Sequence, residues 1–148
     1  MDFGLKGKTA VVSGSTAGIG FAIAAALAAE GAKVVVNGRT EARVTAALEQ
    51  IRRRVKNADI RGIAADLATS AGVQALVKQI PDADVLVNNL GIFEVKPFAE
   101  ISDADWLRFF EVNVLSGVRL ARHYLPCMVR ETGGASFSFP VSPHNTFQ

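Results

Sequence analysis

Short apolar runs, rich in β-branched residues, alternate with longer helical segments along most of the chain. Strands are predicted over residues 9–13, 33–37, 60–65 and 85–87, and helices over 19–30, 41 to about 55, 69 or 70 to 79, and 102 or 103 to about 130. Continuous apolar strands suit a parallel sheet that is buried on both faces. The alternation therefore predicts an α/β fold, a doubly wound parallel sheet with helices on both faces.

The ends of these helices carry the expected boundary residues. Gly31 follows the first helix as a C-terminal stop, and Thr40 is a predicted N-cap with Glu41 well placed for the helix dipole. Either Thr69 or Ser70 caps the third helix. Right-handed crossovers place the first and fourth strands side by side, which creates the crevice where such sheets bind ligands.

Composition excludes several classes of protein. A hydrophobic content of 49% is too high for disorder, and a net charge of +2 argues against nucleic-acid binding. The single cysteine, Cys127, argues against a disulfide scaffold or a four-cysteine zinc site and fits a reducing compartment. The longest uncharged apolar run, residues 21–29, is half the roughly 20 residues that a membrane span needs. With no signal peptide visible, we expect a cytoplasmic domain without metal or membrane contacts.

A glycine-rich loop, residues 13–20, joins the first strand to the first helix. Binding of a dinucleotide pyrophosphate needs bare backbone N–H groups at a helix N-terminus. Gly14 can form the tight turn, Gly18 can permit close approach, and Gly20 can let the helix lie against the strand. The alternative is a tight connection without a ligand. The Lys and Ser/Thr of a nucleotide-hydrolase P-loop are absent, so the loop favours a dinucleotide over ATP.

Four motifs in order resemble the short-chain dehydrogenase/reductase family over residues 5 to about 134. They are Ser13-Gly14-x-x-x-Gly18-Ile19-Gly20, Asp66-Leu67, Asn88-Asn89-Leu90-Gly91 and Asn113-Val114. Ser13 stands where Thr is commoner, and Leu90 stands where Ala is. The resemblance is nearest to members like the 3-oxoacyl-carrier-protein reductases. It implies a Rossmann-like NAD(P)-binding domain, a small-molecule carbonyl or alcohol substrate, and a homo-oligomer in the full-length form.

The resemblance also implies roles for individual residues. Residues of the glycine loop would line the pyrophosphate and ribose: Gly14, Ser15, Thr16, Gly18, Ile19 and Gly20. Asp66 would contact the adenine with Leu67 beside it, and Asn89 and Gly91 would shape the loop under the ribose and nicotinamide. Asn113 matches the active-site Asn that opens a helix turn and holds a water. In the alternative interpretation, Asp66 caps a strand end and Asn113 is a partnered core amide.

The end of the second strand indicates which nicotinamide cofactor is preferred. NAD-preferring members generally have an acidic residue there to bind the ribose hydroxyls. This chain instead has Arg39, with no acid before Glu41. Arginine can pair bidentately with a 2′-phosphate, so NADP(H) is favoured over NAD(H). Ala17 weighs against this, since many NADP-preferring relatives have a second basic residue there, and Arg39 could be an ordinary exposed turn residue.

The family's proton-donating Tyr, with a Lys four residues later, has no counterpart in this sequence. The single tyrosine, Tyr124, is followed four residues later by Met128, and no lysine occurs after Lys96. We therefore expect a chain that keeps the cofactor-binding half and is inactive by itself. The alternatives are a non-catalytic dinucleotide-binding fragment and an oligomer-interaction fragment.

The segment after Gly134 departs from the family pattern. A central parallel strand of continuous apolar residues is expected there, but the sequence alternates Ser and Phe and reaches Pro140. We therefore predict a Rossmann-like domain over 1–134, incomplete at its C-terminal end, and an aberrant tail over 135–148. A frameshift near Gly134 explains the tail, because reading Ser136 and Ser138 codons out of frame restores an apolar strand. Truncation with a divergent tail is the alternative.

The long fourth helix has more apolar residues than one sheet face needs. They are Trp106, Leu107, Phe109, Phe110, Val114, Leu115 and Val118. We therefore predict an exposed apolar patch on this helix and a tendency to associate.

Overall fold

The computed structural model describes residues 3–130 and the backbone of residues 135–138. The strands are β1 (Thr9–Val12), β2 (Lys33–Gly38), β3 (Ile60–Ala64), β4 (Val85–Asn88) and β5 (Ala135–Ser138). The α-helices are α1 (Gly18–Ala29), α2 (Glu41–Arg54), α3 (Ser70–Gln79), α4 (Asp103–Phe110) and α5 (Ser116–Arg130). A 3₁₀ turn (Phe98–Glu100) precedes α4, and a π-helical segment (Glu111–Leu115) separates α4 from α5.

The strands form one parallel sheet in the order β3-β2-β1-β4-β5. In β1, Val11 is paired in register with Val35 on one side and Leu86 on the other. The prediction that the first and fourth strands are neighbours is confirmed. The carboxyl ends of β1 and β4 therefore diverge into a crevice, because the chain leaves them toward opposite sides of the sheet.

Each face of the sheet has its own apolar core because alternate residues of every strand point to opposite faces. Ala10 and Val12 of β1 pack into a cluster with Phe21 and Ala24 of α1 and residues of α2. Val11 packs on the opposite face, in a cluster with buried residues of α3 and α5: Val73, Leu76, Leu120, Tyr124 and Met128. The predicted coverage of both faces by helices is thus confirmed.

The helix boundaries follow the predicted caps. The Thr40, Thr69 and Ser102 side chains accept hydrogen bonds from the backbone N–H groups of Arg43, Gly72 and Asp105. At Ser102 the bonds are reciprocal, since Asp105 also accepts from the Ser102 backbone N–H. Gly31 ends α1 with φ 80°, a left-handed conformation that favours glycine.

The fourth helix differs from the prediction of one continuous helix. It is interrupted by the π-helical segment Glu111–Leu115, in which the backbone accommodates one extra residue. The Ser116 hydroxyl donates to the Val112 carbonyl within the segment. The Asn113 side chain leaves the helix to bond the backbone of Ile92, which compensates for the local disruption.

The sheet continues past residue 134, where the domain was predicted to end. β5 pairs with β4 in parallel, with Ala135 opposite Val85 and Ser138 opposite Asn88. Four residues of the predicted tail are therefore part of the sheet, and Pro140 lies outside the described residues. A frameshift as the origin of the tail stays a prediction.

Candidate functional site

A cleft of about 290 Å³ opens at the carboxyl ends of the first four strands. Its walls come from the glycine loop, the ends of β2 and β3, the segment after β4, and helix α4 with the π segment. The lining residues are Gly14, Thr16, Asn37, Gly38, Arg39, Arg43, Ala65, Asp66, Leu67, Ala68, Leu90, Gly91, Ile92, Arg108 and Val112. The cleft lies in the predicted crevice.

Two glycines of the loop adopt a backbone conformation that other residues rarely tolerate. Gly14 has φ 60° and Gly18 has φ 58°. A Cβ atom on Gly14 would lie 3.1 Å from the Leu90 Cα atom, whereas the same position on Gly18 faces open space. Gly14 therefore serves a tight turn against the segment after β4. The open space at Gly18 leaves room for a ligand to approach the backbone.

Gly20 provides a close contact, but its partner differs from the predicted one. A Cβ atom there would overlap the Asn89 side-chain amide and lie 2.6 Å from the Gly14 carbonyl oxygen. Sequence reasoning placed β1 against Gly20, whereas the closest groups belong to the loop after β4 and to the glycine loop itself. Helix α1 thus packs onto the turn that forms the cleft floor.

A hydrogen-bond network joins the glycine loop to the segment after β4. The Asn89 amide donates to the carbonyl oxygens of Ser13 and Gly14, at 3.1 and 3.0 Å. The Ser13 hydroxyl donates to Val87 and accepts from the N–H groups of Asn89 and Leu90. Serine at this position therefore supplies the hydroxyl contacts needed to hold the two loops together.

A second network centres on Asn37, which sequence reasoning did not select as a site residue. Its side chain is 1% exposed, accepts from the Gly14 N–H, and donates to the carbonyl oxygens of Ile63 and Ala65. The Ser15 hydroxyl donates to Val12 and accepts from the Asn37 N–H. Ser15 is therefore buried under the cleft and does not line it. A polar residue at the end of an otherwise apolar buried strand was the available signal.

Helix α1 begins without side-chain capping. Its N-cap residue, Ala17, makes no capping hydrogen bond, and the first turn has no acidic residue. The first N–H groups of a helix lack intrahelical partners and carry partial positive charge. Together with the open space beside Gly18, this arrangement has the donors and the room that a pyrophosphate requires. The residues present therefore fit a dinucleotide.

Two arginines lie at the β2 side of the cleft. Arg39 follows β2 directly, and Arg43 lies four residues later in the first turn of α2, so both reach the same wall. Sequence reasoning selected Arg39 and missed Arg43, although a second arginine in the first turn of the helix that follows Arg39 could have indicated it. The two guanidinium groups make this end of the cleft suited to an anionic group.

Asp66 and Leu67 lie on the wall formed after β3. The Asp66 carboxylate accepts from the Ala68 N–H at 3.1 Å, and Leu67 is buried in the core beneath. Asp66 therefore shapes the turn after the strand while its side chain faces the cleft.

The predicted active-site Asn lies in the π-helical segment. Asn113 accepts from the Ile92 N–H at 2.7 Å and donates to the Ile92 carbonyl at 3.0 Å. It does not line the cleft, but it holds the residue that does. Asn113 is exposed, so the alternative of a partnered core amide is wrong in its burial, although the side chain does have partners in the backbone of Ile92.

Tyr124 is buried in the core and is not placed to donate a proton to a substrate in the cleft. Its side chain is 0% exposed, packs in the α3/α5 core and donates to the Ile80 carbonyl at 2.7 Å. Burial, together with the charge of Asp82, raises the pKa of the Tyr124 hydroxyl well above its usual range. Tyr124 therefore has a packing role.

The predicted site residues thus fall into two groups. Six line the cleft directly: Gly14, Thr16, Arg39, Asp66, Leu67 and Gly91. The others support it or border it: Ser15 and Asn89 in the networks beneath, Gly18, Ile19 and Gly20 at the start of α1, and Asn113 through Ile92. Leu90 lines the cleft too.

Within the described part of the chain, no helix is long and apolar enough to cross a bilayer.

Comparison with known proteins finds close relatives. Oxidoreductase YvaG of Bacillus subtilis (strain 168), described as uncharacterized, is 48% identical over 134 residues, which are 90% of this chain and 51% of that protein. A second such oxidoreductase of the same organism, YvrD, is 44% identical over 137 residues, with the same two coverages. The chain therefore spans about half the length of these relatives.

A solved structure has the same fold. L-sorbose reductase from Gluconobacter frateurii, complexed with NADPH and L-sorbose, superposes with a TM-score of 0.86 at 37% identity, covering 93% of this chain and 54% of that one. The family model for short chain dehydrogenases matches residues 8–136. The chain belongs to the short-chain dehydrogenase family of oxidoreductases.

Proposed function

We propose that these residues form the NADP(H)-binding half of an oxidoreductase that acts on a small carbonyl or alcohol. The observation that carries the proposal is the cleft, which is lined by Gly14 and Thr16 of the glycine loop and by Arg39 and Arg43, with the uncapped start of α1 directly after that loop. Backbone donors suit the pyrophosphate, and the arginines suit a 2′-phosphate. The NADPH complex of L-sorbose reductase supports this choice.

Each part of the cleft has a distinct role in the proposal. The start of α1 binds the pyrophosphate, Asp66 and Leu67 bind the adenine side, and Gly91 and Ile92 border the nicotinamide side. Asn113 positions this last segment by holding both backbone groups of Ile92. When bound, the dinucleotide supplies hydride chemistry. The protein's contribution here is binding and orientation.

These 148 residues are not expected to catalyse turnover by themselves. Carbonyl reduction needs a proton donor close to the substrate oxygen. Tyr124 is buried, and its raised pKa makes it a poor donor of a proton. In the described residues no other tyrosine is present. The substrate, the reductase subgroup and a cytoplasmic location stay predictions.

Oligomer formation is a second candidate function, favoured by the surface of α4 and α5. Exposed apolar residues follow this surface: Trp106, Leu107, Phe110, Val114, Val118, Leu125 and Val129. We call this set the apolar helix face. Large exposed apolar patches mark association surfaces. The role proposed for it is contact with another copy in a full-length homo-oligomer.

Titration of the protein with NADPH and NADH tests the cofactor proposal. Calorimetry of the parent is expected to give tighter binding of NADPH. Replacing Arg39 with Gln is expected to weaken NADPH binding by about tenfold or more, the usual value of a charge-assisted hydrogen bond, and to leave NADH nearly unchanged. Arg52→Gln is the matched control, because Arg52 is exposed late on α2 and away from the cleft.

Three results would contradict the proposal. Tighter binding of NADH by the parent would reverse the cofactor preference. An equal loss of both dinucleotides in Arg39→Gln would remove the 2′-phosphate role. Absence of binding at millimolar NADPH would leave the oligomer function as the better candidate.

A further inference from the structure

Arg119 links two parts of the cleft wall that are far apart in sequence. Its guanidinium Nη1 donates to the Ala68 carbonyl oxygen at 2.5 Å, and Nη2 pairs with the Glu111 carboxylate at 3.1 Å. The Arg119 side chain is 22% exposed, so its bond to Ala68 is partly shielded from water, whereas the Glu111 side chain is 51% exposed and its ion pair with Arg119 lies at the surface. An arginine in this setting stays charged and holds two partners in a fixed plane.

Ala68 belongs to the turn that carries Asp66. The Asp66 carboxylate accepts from the Ala68 N–H, and the Asp66 carbonyl accepts from both the N–H and the hydroxyl of Thr69. These bonds are local and do not set where the turn sits relative to the other cleft wall. The bond from Arg119, in α5, reaches back to Ala68, 51 residues earlier in the chain. It therefore links the turn to the wall that contains α5.

The π-helical segment makes the pairing of Arg119 with Glu111 possible. In a regular α-helix, residues eight apart are rotated by roughly 80° from each other. A π turn absorbs one extra residue, so the same spacing returns to within roughly 20° of the starting face. Glu111 is the first residue of that segment, and Asn113 follows two positions later. One guanidinium therefore connects the Asp66 turn to the segment that holds Asn113.

We propose that Arg119 is a positioning residue that holds the Asp66 turn at the correct height on the cleft wall. It acts on the adenine end through the Ala68 carbonyl, and Glu111 orients its guanidinium. Its importance for cofactor binding rests on the proposed function, whereas its hold on the turn does not. No contact between Arg119 and the ligand is required.

Hydrogen exchange of the free chain tests the hold on the turn. Replacing Arg119 with Met keeps the apolar stem and removes both contacts. The amides of residues 66–72 are then expected to exchange about tenfold faster or more, as for loss of a charge-assisted hydrogen bond. Arg119→Lys keeps the charge and is expected to give a smaller increase. Arg122→Met is the matched control, since Arg122 is exposed on the same helix.

Binding of cofactor fragments separates positioning from general stability. For Arg119→Met, the Kd of adenosine 2′,5′-bisphosphate is expected to rise by about fivefold, within the usual range for indirect coupling. The Kd of reduced nicotinamide mononucleotide is expected to stay unchanged. Equal weakening of both fragments would overturn the proposal, because it would indicate a general structural role.

The exchange result stands apart from the cofactor. If exchange over residues 66–72 is no faster in Arg119→Met than in Arg122→Met, or if it rises equally in the central strands, the positioning role is overturned. If exchange rises as expected but the parent binds neither fragment, the proposed cofactor function fails and the hold on the turn is supported.

Discussion

The helices on the two faces of the sheet are covered to different degrees. On one face, α1 and α2 pack their apolar residues into the core, with Phe21, Ala24 and Ile51 buried. On the other, α5 buries Leu120 and Tyr124 toward the sheet but leaves Val129 78% exposed on the far side. The apolar residues of α1 and α2 are buried mainly against the sheet. Helix α5 has two apolar sides, of which the sheet covers one.

This difference separates residues that fold the chain from residues that serve contacts beyond it. Substitutions on the inner side of α5 should affect stability as core substitutions do, whereas substitutions on the apolar helix face should affect association instead. The same contrast can be tested within a single helix.

The largest effect is expected for the inner side of α5. Leu120 is 0% exposed, and its replacement by Ala is expected to lower the free energy of unfolding by about 2–5 kcal/mol through lost contacts and a residual cavity. Urea denaturation measures this. Leu125→Ala on the outer side, where the residue is 39% exposed, is the control and should cost less than half as much. Equal losses would remove the distinction between the two sides.

A smaller loss in the free energy of unfolding is expected where α1 packs against the floor of the cleft. Gly20→Ala forces the Asn89 amide away from Ser13 and Gly14, and overpacking of this kind costs about 1–3 kcal/mol. It should also weaken NADPH binding, because the floor shifts. Gly117→Ala is the control, since its Cβ would lie 3.3 Å from the Asn88 Cγ atom and the gain in helix propensity, about 1 kcal/mol, offsets crowding.

A still smaller effect, dependent on pH, is expected at the start of α4. The ion pair with Lys96 and hydrogen bonds from Ser102 hold the pKa of the Asp105 carboxyl well below its usual range. A lowered pKa in the folded state stabilises the fold above the unfolded pKa of about 3.8, and that stability is lost as pH falls. Asp105→Asn should therefore lower the urea midpoint at pH 7, and the difference should shrink below about pH 4.

The matched control for that measurement is Asp103→Asn, in the same helical turn. Asp103 has no ion-pair partner among the described residues. The urea midpoint of Asp103→Asn relative to the unmodified protein should therefore be nearly the same at pH 7 and at pH 3. A difference in urea midpoint for Asp105→Asn that is as large at pH 3 as at pH 7 would contradict the role of the carboxylate charge.

The smallest effect on stability is expected on the apolar helix face. Leu107 is 69% exposed, and its replacement by Ser should change the free energy of unfolding by less than about 0.5 kcal/mol. Concentration-dependent light scattering should fall at the same time. Unchanged scattering in a Leu107→Ser, Phe110→Ser double variant would contradict the proposal that the apolar helix face drives association.

Much of the fold follows from local sequence signals. Glycine, threonine and serine at helix ends placed the boundaries to within one or two residues, and the apolar runs at residues 9–13 and 33–37 identified the central strands. These signals are local, because caps and buried strands depend on neighbouring residues. The pairing of the first and fourth strands followed from the handedness of crossovers.

Particular long-range contacts were not predicted, although the resemblance implied that Asn113 opens a helix turn. The π segment is stabilised by Asn113 bonding to Ile92, 21 residues away, and no helical pattern encodes that bond. The networks of Asn37 and Arg119 are equally non-local. Alternating Ser and Phe are atypical of an inner strand, and among the described residues β5 lies at the edge of the sheet, where it pairs with β4.

The cross-strand bonds of Asn37 have a consequence for the thermodynamics of ligand binding. One buried amide on β2 ties the glycine loop to the end of β3, so the floor is preorganised before any ligand arrives. A preorganised surface loses little conformational entropy on binding. The ordering cost then falls on exposed side chains such as Arg39, each worth about 0.5–1.5 kcal/mol when immobilised. The affinity for a dinucleotide should therefore depend more on restricting the motion of these exposed side chains than on further stabilisation of the sheet.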